Sequence, residues 1–208
     1  MLTLALILSL DLPQEVVSMR RMWLLVVTLV ITSACQPAQG REWTTLFDGS
    51  SLDGWRVLGD ANWELADGAV SANDGSGFLV SEESYGDFEL TLEFWVDEPA
   101  NSGVFIRCAD PQNVTDRNCY EVNIYDTRAD QTYRTGGIVH LAAPSAVINS
   151  GGQWNTYEIT AQASRLVVIL NGTQTVDTTD DQFGSGPFAL QYGAGTVRFR
   201  NVQIRSLD

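Results

Sequence analysis

Residues 101–126, NSGVFIRCADPQNVTDRNCYEVNIYD, gather the side chains of this 208-residue chain that are best suited to chemistry. Two strand-like runs, 103–107 and 120–125, flank a loop with Cys108 and Cys119 at its ends. Successive strand residues point to opposite faces. Asn101, Phe105 and Arg107 therefore share one face, and Glu121, Asn123 and Tyr125 share one face of the second run. If the runs are sheet neighbours, an arginine, a carboxylate and two amides meet on one surface, with Asp126 at the strand's end. Such a group can bind and polarise a polyhydroxylated ligand. The competing reading is a solvated sheet face holding an ordinary salt bridge.

The elements that must position these groups are strands. Residues 87–96 place Phe88, Leu90, Leu92, Phe94 and Val96 on one face and Glu89, Thr91, Glu93 and Trp95 on the other, the pattern of a half-buried antiparallel strand. Trp95 stands out on the polar face. Either it stacks against a sugar ring or it packs under a neighbouring loop. Asp67-Gly68 and Asn171-Gly172, each between alternating runs, predict two-residue hairpins. Further strands are expected at 78–81, 154–161, 165–171, 173–177, 188–192 and 196–204. In the last, the apolar parity slips between Phe199 and Val202, which predicts a bulge near Arg200-Asn201. No long helix-period segment follows residue 35. Many short strands with Gly-rich turns predict an all-β fold, a two-sheet antiparallel jelly-roll sandwich.

The N-terminal residues read as processing signals. Met19-Arg20-Arg21-Met22 is a basic head, 23–32 an apolar run, and Ser33-Ala34-Cys35 a lipobox-like end at which Cys35 is the lipid acceptor. Residues 1–35 are the signal and lipoprotein segment, with 1–18 read as a mis-called start. Residues 36–42 form a tether and 43–208 one domain. This layout predicts export to the periplasm or cell surface of a bacterial envelope, with the membrane met only through the anchor. In that oxidising compartment Cys108 and Cys119 are expected to form a disulfide; a buried reduced pair is the alternative.

The formal charge is −14, and all twelve basic residues are arginine. That balance offers no basic patch of the kind nucleic acid requires. No spaced metal motif occurs and no cofactor is evident, although the carboxylate and amide oxygens would suit calcium or magnesium.

An ordered set of short motifs carries a resemblance. Thr45-Leu46-Phe47-Asp48-Gly49, Leu52-Asp53-Gly54-Trp55, Trp63 with Asp67-Gly68, Gly86-Asp87-Phe88 and Asn101-Ser102-Gly103-Val104-Phe105 open it. Tyr120-Glu121, Trp154-Asn155, Asn171-Gly172, Ala189-Leu190-Gln191 and Phe199-Arg200-Asn201-Val202 complete it. Together they resemble the 3-keto-disaccharide hydrolase domain family, over essentially all of 43–207. The resemblance implies a concanavalin A-like jelly roll and action on glycosides already oxidised to a ketone at C3. That ketone acidifies the C2 hydrogen, so a positioned base can start an elimination that expels the C1 substituent, and water can then add.

Carried onto this chain, the resemblance makes Glu121 the base. Arg107 or a bound cation stabilises the enolate, and Asp126 is a second acid/base or orienting group. Asn101, Asn123, Trp154, Asn155 and Gln191 are candidates for substrate contact or site support. Two departures stand out. Val139 replaces a tyrosine in the segment Thr135-Gly136-Gly137-Ile138-Val139, and Tyr133-Arg134 stands where many members carry a histidine. His140, the only histidine, is a displaced acid/base or a packed or surface residue. A lectin-like carbohydrate-binding lipoprotein without turnover is the alternative function.

Overall fold

The computed structural model describes residues 42–207, so the expected signal, Cys35 and nearly all of the tether lie outside the described residues. Thirteen strands form two antiparallel sheets: β1 (Thr44–Phe47), β2 (Trp55–Gly59), β3 (Glu64–Ala66), β4 (Ala69–Ala72), β5 (Gly77–Ser81), β6 (Phe88–Val96) and β7 (Ser102–Ile106). After them come β8 (Tyr120–Ile124), β9 (Trp154–Gln162), β10 (Arg165–Leu170), β11 (Thr173–Thr179), β12 (Ala189–Tyr192) and β13 (Val197–Ser206). One sheet has the order β11-β10-β9-β6-β13-β4-β3, with β1 added on β13; the other is β2-β5-β12-β7-β8. The two-sheet jelly roll is as the strand pattern requires.

The core lies between the inner faces. The alternating apolar set of β6 is buried there beside Tyr157 and Ile159 of its sheet neighbour β9, facing Val104 and Ile106 of β7 and Tyr120, Val122 and Ile124 of β8. Each fully buried large side chain contributes roughly 1.5–3 kcal/mol relative to exposure. Both expected hairpins are present: β3 pairs β4 around Asp67 (φ 54°) and Gly68 (φ 72°), and β10 pairs β11 around Asn171 (φ 50°) and Gly172 (φ 76°). Two successive positive φ values need residues that tolerate the left-handed region, which Asp-Gly and Asn-Gly supply. The bulge is also there: the β6–β13 register shifts between Arg200 and Gln203, with Asn201 at φ 52°.

A second, smaller apolar cluster sits on the outer face of the five-stranded sheet. Cys108 and Cys119 are joined by a disulfide, and the loop they close lays Val114 against Val80, Phe105 and Ala189. A closed loop of this length stabilises the fold by about 2–3 kcal/mol. It also forms a wall beside the outer residues of β7, β8 and β12.

Candidate functional site

Strand β7 pairs β8 with Phe105 opposite Glu121 and Gly103 opposite Asn123, so the two runs are neighbours as expected. Glu121 lies on the outer face, in a groove of about 300 Å³ shared with Asn101, Tyr125, Arg128, Gln191 and Asp116 of the disulfide loop. Gly103 makes room for its carboxyl, since a Cβ there would stand 3.2 Å from Glu121 Cγ and 3.3 Å from Oε1. The residue is only 7% exposed. Burial, reinforced by the negative charge of Asp116 and opposed by Arg128, pushes the Glu121 carboxyl up to about 7. Such a group exchanges a proton near neutral pH. Gln191 lines the groove, and its Oε1 is shielded from solvent with no hydrogen-bond donor among the described residues.

Arg107 is not part of this groove. Its backbone turns left-handed (φ 52°) just after β7 ends, which breaks the alternation that would have put it beside Phe105. The guanidinium instead lies on the side of Tyr120, whose hydroxyl it influences, and neighbouring strand residues 120 and 121 face opposite ways. There it is 1% exposed. It donates to the carbonyls of Gly86 (2.9 Å), Ala163 (2.8 Å) and Phe183 (3.3 Å) and to Asp87 Oδ1 (2.9 Å). Arg107 thus clips three loops together, and the expected Glu121–Arg107 pairing is absent. The cation that does line the groove is Arg128.

Asp126 likewise departs from its expected place. Its carboxylate accepts from Thr135 Oγ1 (2.6 Å), Ser150 N (2.6 Å), Ser150 Oγ (3.1 Å) and Gly151 N (3.1 Å), with Arg134 at 3.6 Å. A carboxylate so engaged is a staple between loops. Arg134, at the site of the missing histidine, also donates to Asn149 Oδ1 at 2.6 Å.

Among the expected substrate contacts, Asn101 and Gln191 line the groove with Glu121. Asn123 is sealed beneath the segment 131–137, its amide donating to Tyr133 O. Asn155 is 2% exposed and bonds Ser150 O, Gln153 O and Asn171. Trp154 belongs to the other sheet, and Arg200 stacks 3.8 Å from its ring centroid. Trp95 lies beside it and borders a different groove. His140 sits outside the groove wall, its Nε2 2.8 Å from Asp116 Oδ2. Val139 is buried, and its N–H donates to the backbone carbonyl of Glu121. Among the described residues no group of three or more His, Cys, Asp or Glu side chains converges as a metal site.

Residues 42–205 match the 3-keto-alpha-glucoside-1,2-lyase-like domain. A 3-keto-disaccharide hydrolase of Bacteroides thetaiotaomicron is 32% identical over 82 residues, 33% of this chain; the chain spans only 28% of that relative's length. Two crystal structures of candidate glycosyl hydrolases from Parabacteroides distasonis superpose with TM-scores of 0.72 (20% identity, 80% of this chain and 94% of that one) and 0.68 (25% identity, 80% and 100%). A carbohydrate-binding module of Bacillus subtilis, CBM66, shares the fold at a TM-score of 0.59 with 20% identity, over 74% of this chain and 96% of its own.

Proposed function

We propose, for a chain that belongs to the 3-keto-alpha-glucoside-1,2-lyase-like domain family, that the Glu121 groove cleaves 3-keto-glycosides by elimination and hydration. Family membership supports a carbohydrate-active protein of glycosyl hydrolase type. The observation that carries the finer reading is a carboxyl tuned to about 7 in a groove sized for one sugar ring. Ionised Glu121 takes the proton from C2, and the C2–H electron pair is delocalised onto the C3 ketone oxygen as an enolate. The pair then forms the C1=C2 double bond while the C1–O bond breaks onto the leaving oxygen. Glu121, now an acid, returns the proton to that oxygen. Addition of water, OH to C1 and H to C2, completes net hydrolysis. Arg128 and the Asn101 amide supply the donors for the enolate, the role first expected of Arg107.

Incubating the purified protein with 3-keto-trehalose tests this. Glucose release that is lost in Glu121→Gln supports the enzyme. Binding without release supports the second reading, a carbohydrate-binding protein. That reading draws on Arg107 and Asp126, both consumed by the scaffold. The role proposed for Arg128 predicts that EDTA leaves turnover intact; loss restored by calcium or magnesium would transfer it to a cation. Lipid attachment at Cys35 and envelope location belong to the same proposal, and failure of palmitate to label the exported chain would remove them.

A further inference from the structure

We infer that Trp95 forms a second carbohydrate site, separate from the Glu121 groove, that stacks a neutral hexopyranose ring. Among the described residues, Trp55 meets Phe188 edge-on, Trp63 packs against Tyr192 and Phe199, Trp43 carries Arg205, and Trp154 carries Arg200. Trp95 alone has neither an aromatic nor a cationic partner among the described residues. It is half-buried on the outer face of β6, with Trp154 opposite it on β9 and Arg198 opposite it on β13. Both neighbours are engaged with other groups: Arg198 reaches Asp67 and lies 5.9 Å from the Trp154 ring centroid, and Trp154 is capped by the Glu93-held Arg200.

The Trp95 ring borders a groove of about 560 Å³ whose other walls include Glu98, Thr127, Asn149 and Gly151-Gly152. These walls are held in place. The Asp126 carboxylate binds the N–H groups of Ser150 and Gly151, and Gly152 N donates to Val96 O at 2.7 Å. Position 151 favours glycine for this closure, since a Cβ would stand 3.0 Å from Glu98 Cα. The function first expected of Asp126 is thereby replaced by another: it builds this groove.

The groove's chemistry selects the ligand. The Glu98 carboxylate and the Thr127 hydroxyl make no hydrogen bond to described residues, so both remain to bind hydroxyls. Asn149 Oδ1 already accepts from Arg134, which leaves its NH₂ as a donor. An apolar plane ringed by such groups matches a pyranose, which presents C–H bonds on one face and hydroxyls at its rim. An anionic ligand would meet Glu98, Asp97 and Asp126, with no arginine in the lining to offset them. No lining residue is common to the two grooves. The loop between them divides its side chains, Tyr125 and Arg128 to the Glu121 groove and Asp126 and Thr127 to the Trp95 groove.

The test is a titration of the ¹⁵N-labelled protein with trehalose and, separately, cellobiose, following the indole N–H resonances, with that of Trp95 assigned from Trp95→Phe. A saturable shift of the Trp95 signal is expected with a Kd on the order of 1 mM. Followed through the backbone N–H signals of the lining residues Gly151 and Gly152, Trp95→Ala should raise the Kd at least tenfold, while Trp95→Phe, which keeps a ring, should stay close to the parent. Glu121→Gln should leave the shift intact, whatever becomes of turnover. A Trp95 signal that neither sugar moves, or binding equal in Trp95→Ala and the parent, would overturn the site. Loss of the shift in Glu121→Gln would overturn its independence.

Discussion

Replacing Glu121 by glutamine should make the protein more stable, by an amount that depends on pH. A folded-state pKa raised from 4.5 to about 7 means that folding disfavours the charged carboxylate. The contribution of Glu121 to stability is therefore fully present below about pH 4.5 and is lost as pH rises through about 7. At about 1.4 kcal/mol for each pH unit between the two values, the penalty approaches about 3 kcal/mol by pH 8 and is about 1 kcal/mol at pH 5. Glutamine has the same shape and no charge, so it carries no such penalty. Urea unfolding of both proteins across pH 5–8.5, with the disulfide intact, should show Glu121→Gln gaining on the parent over that range. A difference that stays flat with pH, or a variant less stable at pH 8, would refute the assignment of a buried, charge-disfavouring site. This measurement is independent of any substrate.

Two other substitutions separate scaffold from site. Arg107→Met removes the donor to three loop carbonyls and should cost roughly 3 kcal/mol in urea unfolding, while the kcat of the folded fraction is retained. Full stability with lost turnover would return Arg107 to the chemistry. Gly103→Ala should displace the Glu121 carboxyl and lower kcat about tenfold or more, with little change in unfolding. Unchanged turnover would mean that the position of that carboxyl does not limit the rate.

The fold was legible where local chemistry and tertiary packing agree. The β6 alternation, the two Xaa-Gly turns and the slip of parity at Arg200-Asn201 each express a local constraint, and each appears at its expected position. The Glu121 face was legible for the same reason, because β8 is regular throughout. Arg107 was misplaced because alternation holds only while the backbone stays extended, and its positive φ leaves no mark in the sequence. Asp126 was misread because the N–H groups that engage it come from residues 150 and 151, a long-range meeting that no spacing announces. Asn123 fell to the same cause, since the segment that covers it adds itself to the sheet edge at Ile138. Asp116 and Arg128 lie in loops, where side-chain direction has no period to follow.

On the proposed mechanism Glu121 removes the C2 hydrogen of an oxidised sugar. Turnover of 3-keto-trehalose in D₂O, with the released 3-keto-glucose trapped and read by mass spectrometry against an enzyme-free control, addresses it directly. One deuterium at C2 in the parent's product, and no product from Glu121→Gln, is expected. Product released with its original C2 hydrogen would contradict it, because the glycosidic bond would then have broken without the step that Glu121 is there to perform.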